Sequence, residues 1–494
     1  MHETAAPDEV STERSRWTAL VVLCAGMLMI VLDMTVVNVA LPAIQEDLGF
    51  TPSGLAWVVN AYLIAFGGLL LLSGRLGDLV SRRGMFLTGL VVFTAASAAC
   101  GLATSQWMLV AARFVQGVGG AMTSAVILGM IVTMFPEPRE QAKAIGVYAF
   151  VASAGGSVGL LAGGVLTQLI NWHWIFFINL PIGAVTAVMA VRLLARDRGI
   201  GFAGGADVLG AALITGSLML GVYTIVVPAA HLGWGAGQTL ALGAASIALL
   251  VGFVVREATA ANPLVPLRIF GNRNLSAANL IQALTVAGMF GMFFLGVLYL
   301  QLVLRYDSLR TGLAFLPTTI VMGTLSVRYA ERLITRYGAR RLLLPGLVLI
   351  GVGLALFARV PIEGSYWLDV LPGSLLIGLG CGVTFPALMT LAMSDVEMTE
   401  AGLASGLVNT SAQVGAALGL AVLATLSAGR TGELVAAGAA QPVALTSGYG
   451  FGMLIGAGLV AVAVVIAVTA LRTRTPRQPA ERPQVAPAPA YAEV

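Results

Sequence analysis

Two side chains in this sequence carry opposite charges at places where charge is costly. Of 23 acidic residues Asp33 alone, and of 27 basic residues Arg113 alone, falls deep within a long apolar run. An ionised group at membrane depth is expensive, so such a residue is a candidate for function and calls for a partner of opposite sign. Low dielectric favours the neutral form of a carboxylate and a nearby guanidinium favours the ionised form. Small changes in their separation can therefore load or release a proton. The alternative is a static ion pair that fixes helix register. Replacing buried pairs by apolar groups is often neutral or stabilising, which favours the coupling role.

The elements that must hold this pair are membrane helices. Hydrophobic residues make up 58% of the chain and charged residues 10%, with a mean hydropathy of +0.91, far from the range of soluble domains. Runs of about 20 apolar residues, enough to cross a bilayer, occur at 17–41, 55–74, 84–104, 107–131, 145–168, 174–194, 208–228, 238–256, 276–300, 311–327, 342–360, 368–393, 401–427 and 447–470. Asp33 lies just beyond the middle of span 1 and Arg113 before the middle of span 4, which runs the opposite way. At ~1.5 Å per residue the two fall in the same half of the membrane, about 4 to 5 Å apart in depth, an offset that an arginine can bridge.

The first span is too long for a signal-peptide core and follows a polar segment with Glu3, Asp8, Glu9 and Glu13, so it is expected to be retained. Fourteen spans put both termini on one side. That side holds 22 of the 27 basic residues; Arg305, Arg310, Arg359 and Arg430 lie on the other, and Arg113 completes the set. The positive-inside rule makes the richer side cytoplasmic. A pI near 9.1 is thus a matter of topology, and no nucleic-acid partner is called for. Scarce lysine with 60 glycines hints at a GC-rich bacterial genome, hence a bacterial cytoplasmic membrane.

Several chemistries are excluded by inventory. Cys24, Cys100 and Cys381 fall inside spans without the spacing of a disulfide framework or metal site, and are expected to be packing residues. His2, His173 and His231 lie outside span interiors, so there is no buried histidine relay. The single lysine, Lys143, is followed by Ala144, so no phosphate-binding GxxxxGK[ST] loop exists. Gly117-x-Gly119 sits in an apolar helix with no preceding strand and is not a dinucleotide site. No metal, no cofactor and no enzymatic activity are expected.

The chain divides into a cytoplasmic segment (1–16), a six-helix half (17–194), a linker with two extra spans (195–275), a second six-helix half (276–471) and a disordered cytoplasmic tail (472–494), where Pro476, Pro479, Pro483, Pro487 and Pro489 stand in a polar background. The longest inside loops are 195–207, 257–275 and 328–341. The stretches after spans 2 and 10 are related: Gly74-Arg75-Leu76-Gly77-Asp78 leads to Ser81-Arg82-Arg83, and Arg332-Leu333 leads to Arg336-Tyr337-Gly338-Ala339-Arg340-Arg341. One turn repeated at the same place in two halves marks an internally duplicated transporter.

From residue 17 to 471 the chain resembles the major facilitator superfamily, and within it the 14-span drug:proton antiporters of bacteria. Leu32-Asp33-Met34-Thr35-Val36-Val37-Asn38-Val39-Ala40-Leu41-Pro42 is similar to that group's first-span motif, Arg113-Phe114-Val115-Gln116-Gly117-Val118-Gly119-Gly120-Ala121 to its fourth-span motif, and Trp172-His173-Trp174-Ile175-Phe176-Phe177-Ile178-Asn179-Leu180-Pro181 to the start of span 6. The resemblance implies an all-α integral membrane fold: a major-facilitator bundle of two six-helix halves plus an extra two-helix insert, 14 transmembrane helices in all. It implies proton-coupled efflux of hydrophobic drugs or antibiotics by alternating access, driven by the proton gradient, with Asp33 and Arg113 as the coupling pair.

The resemblance also implies that the loop carrying Gly74, Gly77, Asp78, Arg82 and Arg83 acts as a conformational latch between the halves. Ser81 replaces the loop's usual second glycine, and Leu79 takes a frequently basic position. A basic inside loop is also what topology alone demands. In span 5, Gly155, Gly159 and Gly163 recur every four residues with Gly156 and Gly164 beside them, a face that allows close backbone contact. It resembles the antiporter motif, with Leu160 where proline is usual. Ordinary tight helix packing would show the same face.

A substrate path should run between the halves. Its candidate lining residues are those whose polarity or aromaticity at depth needs explaining: Asn38, Trp57, Asn60, Tyr62, Gln116, Asn279, Gln282, Phe290, Phe293, Phe294, Asn409 and Gln413. Amides can equally serve as interhelical glue. Pro317 and Pro386 fall inside spans 10 and 12, where a missing amide bends a helix. Spans 9 to 14 hold no deep acid, since Asp369, Glu397 and Glu400 lie at span ends, which points to neutral, zwitterionic or weakly cationic amphiphiles over dications. The expected partners are such a small molecule, protons and the lipid bilayer, with the protein a monomer. One alternative is a transporter dedicated to a specific metabolite or self-made secondary metabolite; another is a sensor or enzyme on a transporter scaffold.

Overall fold

The computed structural model describes residues 13–197, 199, 201, 205–394, 396 and 401–471. Most of the N-terminal segment, the tail, Glu397 and Glu400 lie outside the described residues. Apolar runs without water must satisfy their backbone internally, and here they do so as helices. Fourteen are long and apolar enough to cross a membrane: α1 (Ser15–Leu48), α2 (Gly54–Leu79), α3 (Arg82–Gly101), α4 (Gln106–Met134), α5 (Arg139–Leu169), α6 (Trp174–Leu193), α7 (Val208–Leu232), α8 (Gly237–Thr259), α9 (Arg273–Val303), α10 (Ser308–Tyr337), α11 (Ala339–Phe357), α12 (Tyr366–Met393), α13 (Gly402–Ala436) and α14 (Gln441–Thr469).

Their ends are marked by local chemistry. Side-chain oxygens of Ser81, Ser105, Asp207, Asn272 and Asp307 accept amide hydrogens in the first turns of α3, α4, α7, α9 and α10. Arg273 and Arg340 donate to the carbonyls of Thr469 and Val468 at the C-terminus of α14, where cations meet unsatisfied carbonyls. Span 10 departs from expectation. The segment read as an inside loop from 328 is helical to Tyr337, through a wide turn at Leu325–Tyr329. Arg328, Arg332 and Arg336 end the apolar run without breaking the helix, because arginine is a good helix former.

The packing is duplicated. In the first half α1 lies on α5 and α6, α2 on α4, and α3 on α4 and α6. In the second half α9 lies on α13 and α14, α10 on α12, and α11 on α12 and α14. Adding eight to each helix number converts one set of pairings into the other, as expected of an internal repeat. The main contacts between halves, α2 with α13 and α5 with α10, exchange under the same rule. α7 packs against α2 and α13, and α8 lies on α7 with only 6% of its most apolar stretch buried, so the extra pair is applied to the outside of one inter-half seam.

The seams are tight towards the face opposite the N-terminus. Gln301 donates to the Val39 carbonyl across α9 and α1, Ser157 donates to Thr319 across α5 and α10, and a Cβ on Gly164 would lie 2.8 Å from the Ser308 carbonyl oxygen. At the N-terminal face α2, α4 and the start of α13 border a cavity of about 600 Å³. The glycine row of α5 faces α1. A Cβ on Gly163 would come within 2.7 Å of the Val36 carbonyl oxygen, and one on Gly159 would overlap Thr35 and lie 2.8 Å from the Leu32 carbonyl. Gly159→Ala should therefore cost roughly 1–3 kcal/mol of stability. Gly156→Ala, whose new methyl would first meet Thr35 at 4.0 Å, should cost little. Thermal unfolding of the detergent-purified protein checks the contrast.

Candidate functional site

The Asp33–Arg113 site is assembled by five helices, each of which reaches it because its neighbours come unusually close. α4 presses backbone to backbone on α2 and α3: a Cβ on Gly117 would lie 2.5 Å from the Tyr62 carbonyl oxygen, and one on Gly119 would overlap the backbone of Phe93 and approach the Gly89 carbonyl at 2.8 Å. These glycines follow Arg113 and Gln116 directly, so the same turns that bring the helices together deliver both polar side chains inward. α1 is fixed from behind by the glycine face of α5.

Asp33 and Arg113 are 0% and 1% exposed. Arg113 Nη1 donates to Asp33 Oδ2 at 2.5 Å and to Gln116 Oε1 at 2.7 Å, and its Nε donates to the Val58 carbonyl at 2.9 Å. The other carboxylate oxygen, Asp33 Oδ1, accepts from Gln116 Nε2 at 2.7 Å and from Asn179 Nδ2 at 3.1 Å. Both amides also donate to the Ser97 hydroxyl. The guanidinium lies 4.5 Å from the Tyr62 ring centre and 5.7 Å from that of Phe176, within cation–π range. Asn179 Oδ1, both polar atoms of Asn60 and the Tyr62 hydroxyl are buried without a partner.

The expected pair is thus together, and three of its partners go beyond the expected set. Ser97, Phe176 and Asn179 join it, the last two from the stretch at the start of span 6 that carries the family-like motif. Two residues expected on a substrate path belong to this cluster instead: Gln116 and Tyr62 are fully buried, because the ionised pair consumes the amide and packs against the ring. Asn38 is buried and donates to the Met34 carbonyl of its own helix, and Asn279 links the Leu275 carbonyl to Ser411 on α13. Gln413 lies against Gly67 at the α2–α13 seam, and Phe293 packs on Phe315. Trp57, Gln282 and Phe290 are half-buried.

Two residues from the expected path line cavities. Asn409 borders the cavity at the N-terminal face. Phe294 borders a second cavity, about 650 Å³, at the opposite face between α1, α9, α13 and α14, with Tyr449 and Arg305. Among the described residues no group of three or more His, Cys, Asp or Glu could hold a metal ion.

The residues expected to form a latch lie at the first cavity or beside it. Arg82 donates to Asp78 Oδ1 at 2.8 Å and to the Gly129 carbonyl at 3.2 Å, and all of Gly74, Asp78 and Arg82 line the cavity facing Gly402 and Leu403 of α13. Gly77 packs on Val126 of α4, and Arg83 donates to the Val191 carbonyl at 2.5 Å. Ser81, in place of the usual glycine, is the N-cap of α3. An unforeseen residue, Asp197, holds this turn from the linker after α6: it accepts from the Ser81 hydroxyl and Arg82 amide at 2.6 Å and from the Arg83 amide at 3.2 Å. Gly199 and Gly201 donate to the carbonyls of Val80 and Leu79 beside it.

The chain belongs to the Major Facilitator Superfamily, whose family model matches residues 23–420. It is 38% identical to the puromycin resistance protein of Streptomyces alboniger, over 93% of this chain and 92% of that one. It is 37% identical to the cephamycin export protein of Amycolatopsis lactamdurans, over 93% and 94%. Among solved structures, a bacterial homologue of the human lysosomal transporter Spinster aligns with a TM-score of 0.65 at 18% identity, covering 93% of this chain and 97% of that one. The protein is a multi-pass membrane protein with the fold of that superfamily.

Burial pushes the Asp197 carboxyl up, but the hydrogen bonds from Ser81, Arg82 and Arg83 together bring it below its ordinary value. A depressed carboxyl contributes stability that is present at neutral pH and is lost as the pH falls through its folded-state value. Because Asp197 is exposed, the expected cost of Asp197→Ala is that of a lost helix cap, about 1 kcal/mol. The gap from wild type should hold from about pH 8 to about pH 5 and narrow as the pH falls below the ordinary carboxyl value in thermal unfolding.

Proposed function

We propose that the protein is a proton-driven exporter of amphiphilic drugs or antibiotics in a bacterial cytoplasmic membrane. In this reading both termini are cytoplasmic, as the arginine asymmetry favours, and a monomer works by alternating access with no cofactor. The observation that carries the reading is the Asp33 carboxylate, wholly buried and held by donors from α4 and α6.

The site has partners for both protonation states. Ionised, Asp33 takes Arg113 on one oxygen and two amides on the other. Neutral, it becomes a donor, and Asn179 Oδ1 is a buried acceptor without a partner on the same side chain that already touches it. Arg113 then keeps the Val58 carbonyl, Gln116 Oε1 and two ring faces. Loss of the ion pair frees α1 from α4 without stranding the cation. Protonation from outside would thus be exchanged for substrate release, each proton drawing ~2.3 kcal/mol per 100 mV of potential. The cavity at the N-terminal face is the entrance in this scheme, with the Asp78 loop as the latch that closes it.

The relatives favour antibiotics as cargo, and their names, each tied to one compound, support a second reading: export of a single self-made secondary metabolite. Drug susceptibility with and without the gene, beside counterflow of single compounds, separates the two. Asp33→Asn should abolish uptake driven by an imposed pH gradient in inverted vesicles while leaving folding, insertion and substrate counterflow intact. Gradient-driven transport at the wild-type rate in this variant would overturn the coupling role.

A further inference from the structure

The two-helix insert contains a second buried acidic site. Asp207 caps the start of α7, accepting the Gly210 amide at 3.0 Å, and Glu257 lies at the end of α8; each is only 3% exposed. A Cβ on Gly210 would lie 2.7 Å from Asp207 Oδ2 and 2.8 Å from Glu257 Oε1, so a single missing methyl separates the two carboxyl groups. Arg256 donates to both oxygens of Asp207, at 3.1 and 3.2 Å. Glu257 Oε2 accepts the Val265 amide at 2.8 Å. Glu257 Oε1, buried and facing Asp207 across Gly210, has no hydrogen-bond partner.

This arrangement has two carboxyl groups and one guanidinium, which is engaged by Asp207. Two carboxylates this close and this buried do not both ionise cheaply, and a buried oxygen without a donor costs about 1–3 kcal/mol. A proton on Glu257 lowers both costs: it removes the excess charge, and a neutral carboxyl oxygen without a donor is far cheaper to bury than an ionised one. The arm at 264–265 offers backbone amides, and the charges nearest along the cavity that the arm lines are Arg75, Asp78 and Arg82.

We infer that Glu257 holds a proton beside the Asp207 carboxylate, forming a second proton site at the N-terminal face, separate from Asp33. Its consequence is mechanical as well as electrostatic. Glu257 anchors the arm whose residues 261–264 and Pro266 wall the cavity between the halves. Release of the proton places a second negative charge beside Asp207 and makes Glu257 Oε2 a stronger acceptor for the Val265 amide, so the hold on the arm responds to pH on its own side of the membrane.

Infrared difference spectroscopy of the full-length protein in liposomes, titrated from acid to alkaline pH, reads protonated carboxyl groups directly. A protonated-carboxyl band should persist at neutral pH in wild type and in Asp33→Asn, and vanish when Glu257→Gln is added to Asp33→Asn. In Asp207→Asn, which keeps the helix cap, the band should disappear at a pH about one unit or more lower than in wild type, since the repelling charge is gone. Absence of a neutral-pH band in Asp33→Asn, or a band left unchanged when Glu257→Gln is added to it, would overturn the assignment and leave Glu257 as an ionised anchor of the Val265 amide. Because Asp33 is removed in one arm, the result is independent of whether Asp33 couples transport.

Discussion

The buried ion pair of Asp33 and Arg113 is the constraint to which the first half of the molecule is built. Losing one partner of a buried pair costs about 3–5 kcal/mol where nothing else meets the charge left behind; here groups already in place surround both partners. α2 supplies a backbone carbonyl, α3 a hydroxyl, α4 an amide beside the arginine itself, and α6 a second amide and a ring. Four helices cannot converge on one carboxylate with large side chains between them. The glycines of α4 and α5 are therefore part of the electrostatics: they set the distances at which the polar groups meet.

How much of this was legible in the sequence depended on whether a residue's meaning was local. Fourteen helices, the duplication and the two deep charges are properties of inventory and period, and the structure agrees with them. Gln116 was singled out as a lining residue and the structure places it on the ion pair, because an amide at depth looks the same whether it lines a path or serves a charge. Ser97 gave no signal, since a serine can bond its own helix, as this one also does to the Phe93 carbonyl. Phe176 and Asn179 stood within a quoted motif, yet an asparagine at the start of a span reads as a boundary residue.

The same limit hid the contacts made by the linkers. Asp197, Asp207 and Glu257 sit where basic and acidic residues normally mark the end of a span, and their sequence positions say only that. Their partners lie far along the chain or across a fold-back: Asp197 meets residues 81–83, and Glu257 meets an amide in an arm that turns beneath α8. Tertiary closure, which no local period encodes, turned ordinary boundary charges into a staple on one loop and a buried pair in the insert.

The duplication is structural and not chemical, and this bears on how motion at one charge reaches the other half. α9 and α12 occupy the places of α1 and α4, yet α9 is charged only at its first residue, Arg273, and the one charge on α12, Asp369, lies near its start. Among the described residues of α9 and α12 no second pair answers the first, so under the proposed mechanism coupling would travel by packing. A contiguous route exists. Thr35 and Leu32, on either side of Asp33, touch Gly159 of α5; one turn on, Gly164 and the Leu160 carbonyl meet Ser308 and Gly312 of α10, with Ser157 bonded to Thr319 closer to the middle. Contacts between backbones do not deform gradually, because interiors are close-packed and a shift of even a methyl width is felt. Under the proposed mechanism, a displacement of α1 relative to α4 would pass through α5 to the seam between the halves.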